Sequence, residues 1–556
     1  MIFNLSSTSY LLERNISWNY LSDQKNLNFS KYGQIFLTNK VQKVKSSINI
    51  NLLFLADLLS LNSTQNFNVE LNKIIQLLKK LEICLRNNNI PIIVGVSSYL
   101  YINIIESARN FKNEKRIKHY LFNELYKLSK KYKNLYILDI DEIFSLHGVE
   151  RCLDNRNFHL SRCRLSSFGI EVIAKNLKKI AIRINKPNKK ALLLDCDNTL
   201  WGGVIAEDGL NKIKIGEENE GLAFFEFQKA IKKLKDQGVI IILVSKNIEE
   251  DIFNVFKMHG GMILKMKDIS AHKINWKDKA KNISTLSKDL NLTLDSFVFW
   301  DDNPIEREKI KMKLKEVKVI DPDQDVSNWA RQLLEYEGFS KFSITTNDLN
   351  RTKQYQTRQK FIDNKSGFKN EIDYLKSIKI KAKILNLNKR NIDRAAQMCQ
   401  RTNQFNLSTK RYNHKDLLLI NKKHKCFMIH LKDLYGDHGI ISFICLKFIS
   451  KKVILIDTLL MSCRVLGRYL ENWILNEIIK FAKKNNVKLI VAEFISTKKN
   501  DIAKDFLNSN NFKKISKISL IKKDKTIDKK ILKNKSDFFL YNSNKKIDNL
   551  NIYAKH

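Results

Sequence analysis

The chain is poor in proline and glycine, with 4 and 17 among 556 residues, and thick with Lys, Asn and Ile, the usage that AT-rich codons produce. It lacks an apolar run of the roughly 18 residues that a membrane-spanning helix needs. The nearest approach, 90–105, is interrupted by Ser97, Ser98 and Asn103 and reads as a core strand with a polar exit. The opening MIFNLSSTSYLLERN has no basic segment followed by an apolar one, so no secretory signal is expected. The 8 cysteines form no CxxC pair of metal spacing and no evident disulfide framework. These absences point to a cytoplasmic, reduced protein without a membrane span.

Acidic residues are also in deficit: 99 Lys+Arg face 58 Asp+Glu, a net charge of +41. Such an excess suits a nucleic-acid or anionic-surface binder. The lysines are scattered through every segment, however, and no nucleic-acid-binding motif accompanies them. Codon bias therefore accounts for the charge better, and nucleic acid is not the expected partner, although docking of an acidic partner stays open. Apolar residues make up 43%, ample for folded cores, and the length implies about three or four domains. There is no internal repeat.

The most informative segment is ALLLDCDNTLWGGVIAEDG, residues 191 to 209. An apolar run, Ala191 to Leu194, delivers Asp195 and Asp197. A buried strand ending in Asp-x-Asp sets both acids at the carboxyl edge of a sheet, where open α/β sheets keep their sites. Two such anions are costly to bring together without a cation. Capping of a following helix would also explain an isolated Asp. Three further elements argue for chemistry instead. A strand over Val239 to Val244 ends in Ser245-Lys246-Asn247, Lys279 comes next, and a strand over Ser296 to Trp300 ends in Asp301-Asp302.

This set resembles the haloacid dehalogenase (HAD) superfamily of phosphotransferases. The string DCDNTLWGGVIAEDG is similar to its FkbH-like branch, the IIIC type, with Cys196 where leucine is usual. The resemblance implies that Asp195 is the nucleophile that carries a phosphoryl group. It implies that Asp197 is the general acid and base. Asp301 and Asp302, with Asp195 and the backbone carbonyl of Asp197, would hold Mg2+. Ser245, Lys246 and Lys279 would bind phosphate. Cys196 has no expected catalytic role.

Residues 1–186 read as an α/β region, with strands at Ile92 to Val96 and Leu135 to Leu138 and helical patterns over Val69 to Asn87 and Asn113 to Lys131. The segment DNRNFHLSRCRLSSFGIEVIA resembles the last block of SGNH-type hydrolases, but no Gly-Asp-Ser block precedes it. His159 without a nucleophile reads as structural, and the region as a degenerate SGNH-like domain. A HAD-like domain is expected over 189–345, without room for a large cap. Residues 346–376 read as a solvated helical connector.

From 377 to 556 the pattern turns to strand, helix, strand, strand, helix, strand, with a basic tail. It resembles the GNAT acyltransferase fold. The strings RTNQFN, YGDHG and IDTLLMSCRVLGR are similar to FkbH-like C-terminal domains. They nominate Arg401, Asn403, Gln404, Asn406, Asp437, Cys463, Arg464, Gly467 and Arg468 as an acyl or pantetheine cleft. Arg464-x-x-Gly467 matches part of a pyrophosphate-binding loop. Tyr469 stands where a small residue is usual, so coenzyme A and the phosphopantetheine of a carrier protein remain equal candidates. Cys463 reads either as a buried cysteine or as a transient thioester site.

The expected architecture is therefore multidomain α/β: an SGNH-like region, a HAD-type Rossmannoid parallel sheet and a GNAT-like mixed sheet. The resemblance implies an enzyme that dephosphorylates a phosphorylated three-carbon acid and loads the glyceryl group on an acyl carrier protein. A plain HAD phosphatase, or an acyltransferase serving surface-polysaccharide or lipid assembly, is the competing expectation.

Overall fold

The computed structural model describes residues 1–556 apart from 9, 12, 14, 32–33, 37–45, 60–66, 88, 99–112, 343, 345, 366–369, 498–499, 525, 528–535, 544–551 and 554–556. The part of the apolar run 90–105 beyond Ser98, and much of the basic tail, lie outside the described residues. The chain is a multidomain α/β protein that divides into two compact units, Met1–Lys186 and Pro187–His556.

In the first unit, β1 (Phe3–Ser7), β2 (Leu27–Phe29), β3 (Ile48–Phe54), β4 (Ile92–Ser97) and β5 (Leu135–Asp139) form a parallel sheet in the order β2-β1-β3-β4-β5. Every residue of β3 is buried, because helices cover both faces of a parallel sheet. Alternation along the strand decides the partner: Leu52 joins Ile170, Ile173 and Leu177, whereas Leu53 joins Leu78, Leu81 and Leu121. His159 is exposed, edge-on to the Phe158 ring, and makes no hydrogen bond to a serine among the described residues.

The second unit holds two sheets. The first contains β6 (Ala191–Leu194), β7 (Ile240–Ser245), β8 (Ala271–Ile274), β9 (Phe297–Trp300) and β10 (Lys318–Val319), all parallel, in the order β10-β9-β6-β7-β8. Leu192 and Leu194 pack with Phe227 and Ile231 on one face; Ala191 and Leu193 pack with Ile283 and Leu286 on the other. This order sets the carboxyl tips of β9, β6 and β7 side by side, about 4.8 Å apart per strand.

The second sheet is mixed and 8-stranded: β11 (Lys381–Asn386), β12 (Phe405–Asn406), β13 (Lys425–Asp433), β14 (Gly436–Phe448), β15 (Val453–Met461), β16 (Leu489–Phe494), β17 (Lys513–Ile515) and β18 (Asp537–Asn542). Its main path runs β11-β13-β14-β15-β16-β18-β17, antiparallel except for the β15/β16 pair. This mixed sheet packs its apolar face on the helix Leu470–Lys484 through Ile474, Leu475 and Ile478.

The helix Arg351–Lys365 departs from the expected solvated connector. Tyr355 is buried in the core of the parallel sheet and Phe361 in that of the mixed sheet. Arg358, also buried, donates from Nε to the Asp289 carbonyl at 2.7 Å and from Nη1 to the Arg464 carbonyl at 3.0 Å. The two aromatics are six residues apart, on different faces, so no single apolar stripe announces burial in the sequence.

Close backbone contact adds to this link. Gly238 has φ +82°, and a Cβ there would lie 2.3 Å from the Asp348 carbonyl oxygen. Gly238→Ala is expected to destabilise the second unit by about 1–3 kcal/mol, from strain and from displaced backbone. Thermal unfolding measures this, and an unchanged Tm would contradict the close approach.

Candidate active site

Asp195 follows β6, Asp301 and Asp302 follow β9, and Ser245 ends β7. Lys279 reaches them from the first turn of the helix Lys279–Leu290, whose N-cap, Asp278, accepts from the Lys281 amide. Lys279 Nζ lies 2.8 Å from Asp195 Oδ2 and 2.6 Å from Asp301 Oδ2. Asp301 is 0% exposed and Lys279 is 3% exposed, so this ion pair is dry. Burial, followed by the neighbouring Asp195, pushes the Asp301 carboxyl up to about 7 despite Lys279. Asp302 is raised by the same two causes. On Lys279, burial pulls the ammonium down, but attraction to Asp195 and Asp301 outweighs it and the net direction is up.

Asp197 is held differently. Its Oδ1 accepts from Trp201 Nε1 at 3.0 Å and from the Ile205 amide at 3.1 Å, and its Oδ2 accepts from Asn247 Nδ2 at 2.8 Å. The turn that permits this starts at Asn198, which adopts φ 50°. Asn198 Oδ1 accepts from the Gly203 amide at 2.9 Å, closing the loop that carries Trp201. Thr199 Oγ1 donates to Asp302 Oδ1 at 3.0 Å. Arg307 Nη1 donates to the carbonyls of Asp301 and Asp302 at 2.8 and 2.6 Å.

The structure thus gathers Asp195, Lys279, Asp301 and Asp302 and sets Asp197 beside them. Ser245 is buried and its hydroxyl accepts from Asn247 Nδ2 at 3.3 Å. Lys246 is turned to Glu306, with Nζ 3.0 Å from Oε1, and is occupied there rather than poised for phosphate. Cys196 is wholly buried, and burial, then Asp195, raises its thiol well above the ordinary range. Sequence reasoning missed Thr199, Trp201, Asn247 and Arg307. The first two stand inside the quoted string and the third comes directly after Ser245-Lys246, but only the fold shows what each touches.

The residues fit a hard divalent cation. One carboxylate oxygen from each of Asp195, Asp301 and Asp302 falls within 4.8 Å of the others. Asp195 Oδ1 is buried with no hydrogen-bond partner. Lys279 offsets one of three negative charges, and oxygen-only donors suit Mg2+. The side chain of Asp197 is engaged elsewhere and is not part of this cluster.

The residues nominated for a C-terminal cleft divide. Arg401, Asn403, Gln404, Cys463 and Arg464 line one cavity, together with Arg351, Tyr355 and Arg394. The other four lie elsewhere. Arg468 is fully buried, bonded from Nε to Asp433 Oδ2 at 3.0 Å and stacked on Phe361 at 4.1 Å. Asp437 sits in the β13–β14 hairpin, accepting from the Gly439 amide at 2.7 Å. Gly467 turns the chain with φ +85° and is exposed. Asn406 belongs to β12, which enters the opening where β15 leaves β16. Their parallel pairing stops at Ile456 and Ala492. Beyond it, β12 pairs with β15 through Phe405 and Asn406, and the Ile495 amide donates to the Leu407 carbonyl at 2.9 Å.

No family model and no curated protein matches the chain. Among solved structures it is similar to the N-terminal part of protein BF1531 from Bacteroides fragilis, described as containing a phosphatase domain complexed with Mg. The identity is 26%, with 60% of this chain and 93% of that chain covered and a TM-score of 0.52. It is also similar to a GNAT-family acetyltransferase from Staphylococcus aureus Mu50, at 17% identity over 29% of this chain and 99% of that one, with a TM-score of 0.23. For Rv2747 from Mycobacterium tuberculosis, in complex with CoA and NLQ, the values are 11%, 28%, 97% and 0.21. No helix among the described residues is long and apolar enough to cross a membrane.

A cation that binds the folded site alone stabilises the fold by mass action, about 2.7 kcal/mol at a hundredfold excess over Kd. Magnesium is expected to raise the Tm of the full chain, and Asp302→Asn to remove most of that rise. An equal rise in the variant would take Asp302 out of the cation site.

Proposed function

We propose that the parallel-sheet part of the second unit is a magnesium-dependent, HAD-type phosphatase that works through an aspartyl phosphate. The observation that carries this reading is the state of Asp195. One oxygen is neutralised by Lys279 while the other, Oδ1, is buried and unpartnered beside two further carboxylates. The likeness to a phosphatase domain complexed with Mg supports it.

Asp195 Oδ1 attacks the phosphorus of a phosphate ester, and the bond to the leaving oxygen breaks. Asp197, fixed by Trp201, Ile205 and Asn247, gives that oxygen a proton. It then takes a proton from the water that releases inorganic phosphate. Lys279 offsets charge on the phosphoryl oxygens and Ser245 lies on the neighbouring strand tip. Asp195, Asp301 and Asp302 would hold Mg2+, with the Asp197 carbonyl assigned by resemblance. When bound, the ion supplies the positive charge that lets an anionic ester approach carboxylates.

The finer reading rests on the FkbH-like resemblance. The substrate is a phosphorylated three-carbon acid, a bisphosphoglycerate. Cys463 Sγ attacks the carbonyl carbon of its acyl phosphate and phosphate leaves. The phosphopantetheine thiol of an acyl carrier protein then takes the acyl group and frees Cys463 as a thiol, while the ester phosphate is removed at the carboxylate site. A plain phosphatase with a vestigial C-terminal domain is the second reading. One observation favours it: Phe405–Leu407 fill the opening between β15 and β16. A carrier-loading assay separates the two.

Asp195→Asn is expected to abolish phosphate release from a simple ester while leaving the melting curve intact. Asp197→Asn should slow release by ~10²–10⁴-fold. Chelation should stop the wild-type enzyme. Substantial turnover by folded Asp195→Asn protein, or full activity in excess chelator, would refute the mechanism.

A further inference from the structure

The cavity beside Cys463 has a charge composition that packing does not explain. Its volume is about 120 Å3. At roughly 30 Å3 per water, that is room for a group of a few heavy atoms. Four arginines wall it, Arg351, Arg394, Arg401 and Arg464, and no acidic residue among the described ones does. They come from three separate elements: the helix Arg351–Lys365, the helix Ile392–Arg401 and the turn after β15.

Their partners do not balance them. Arg351 and Arg401 share a single carboxylate, Asp348, the second at 3.1 Å. Arg394 donates from Nε and Nη2 to the Ile440 carbonyl at 3.2 and 3.1 Å, and from Nη1 to Gln397 Oε1 at 2.5 Å. Arg464 donates from Nε to the Ser462 hydroxyl at 3.0 Å. Neither Arg394 nor Arg464 has a carboxylate partner among the described residues. Burial, followed by repulsion from Arg464, Arg401 and Arg351, pushes the Arg394 guanidinium down to about 9. Burial pushes the Tyr355 hydroxyl, 4.0 Å from Cys463 Sγ, far up, so it stays a hydrogen-bond donor at neutral pH.

Partly buried like charges without counter-charge are costly, and an anion removes the cost. Guanidinium forks match the oxygens of phosphate and carboxylate in a two-point geometry. We propose that the cavity walled by Arg351, Arg394, Arg401 and Arg464 binds the phosphate group of a small phosphate monoester, next to the Cys463 thiol. In giving a substrate class to the C-terminal domain, this rests on the two-site function proposed above. The phosphate has three possible sources: the phosphorylated acid, the pantetheine arm of a carrier, or free phosphate.

The test uses the full chain carrying Asp195→Asn, in excess chelator, so that the carboxylate site has neither nucleophile nor cation. Calorimetry with 3-phosphoglycerate, 4′-phosphopantetheine and inorganic phosphate identifies the source by the tightest probe. Arg464→Gln and Arg394→Gln are each expected to weaken that probe about tenfold or more, as loss of a charge-assisted hydrogen bond does. Arg394→Lys should recover part of the loss. Without ligand, Arg464→Gln should melt no lower than the parent, because one of four repelling charges is gone. Binding by none of the probes, or affinity unchanged in both glutamine variants, overturns the proposal. So does a Tm that falls in both glutamine variants in step with the affinity. Ester hydrolysis by the wild-type chain is read separately, so its failure would strike the phosphatase reading and leave the binding result standing.

Discussion

The ion pair of Lys279 with Asp195 and Asp301 is the constraint on which the rest of the carboxylate site depends. Three acids lie within reach of one point, and one of them is fully buried. Repulsion among them in a dry environment would spread the strand tips or protonate the acids. Lys279 prevents the first and limits the second. It removes one negative charge and leaves two, the charge that a divalent cation matches. An alanine there would leave a buried, uncompensated cluster, whereas a second lysine would leave a single negative charge, a poor match for a divalent cation. The strand order β9-β6-β7 makes the arrangement possible, because it brings the three tips together before any side chain is chosen.

A second dependence runs through the helix Arg351–Lys365. Its polar residues tie it to both sheets: Arg358 bonds carbonyls on either side, and Gln356 Nε2 donates to the Ile269 carbonyl at 2.7 Å. The Asn291 side chain adds a bond to the Cys463 carbonyl at 3.2 Å. The cavity beside Cys463 is thus walled partly by residues of the parallel-sheet part, Asn291 and Thr293, and its shape is set by how the two sheets of this unit are joined.

The parallel sheet and its acids are legible in the sequence because their signals are local. A buried strand reads as four consecutive apolar residues, and a site at its tip reads as the polar residues next in the chain. The strand expected over Val239 to Val244 is Ile240–Ser245, and that over Ala191 to Leu194 keeps both its ends. Partner choice is not legible. Nothing in the sequence says that Lys246 prefers Glu306, sixty residues away, or that Arg468 is spent on Asp433. The string RTNQFN reads as one cleft, yet its residues Arg401 to Phe405 line the cavity while Asn406, paired with Leu460 of β15, does not. That split depends on where β15 parts from β16, a long-range event without a local signal.

The two sites meet an anion in opposite ways. At the tip of β6 the protein offers carboxylates, so a phosphate ester can approach only when a cation reverses the local field. Beside Cys463 it offers guanidiniums, and the same group is attracted without any cofactor. A chain handling one phosphorylated substrate at both places could therefore keep them distinct by metal occupancy alone. The carboxylate site would be silent without magnesium, and the arginine cavity indifferent to it. The general excess of lysine cannot supply this difference, because exposed ammonium groups in water discriminate weakly. It arises from burial: a few charges of one sign, held at close range and short of partners, in each of two places.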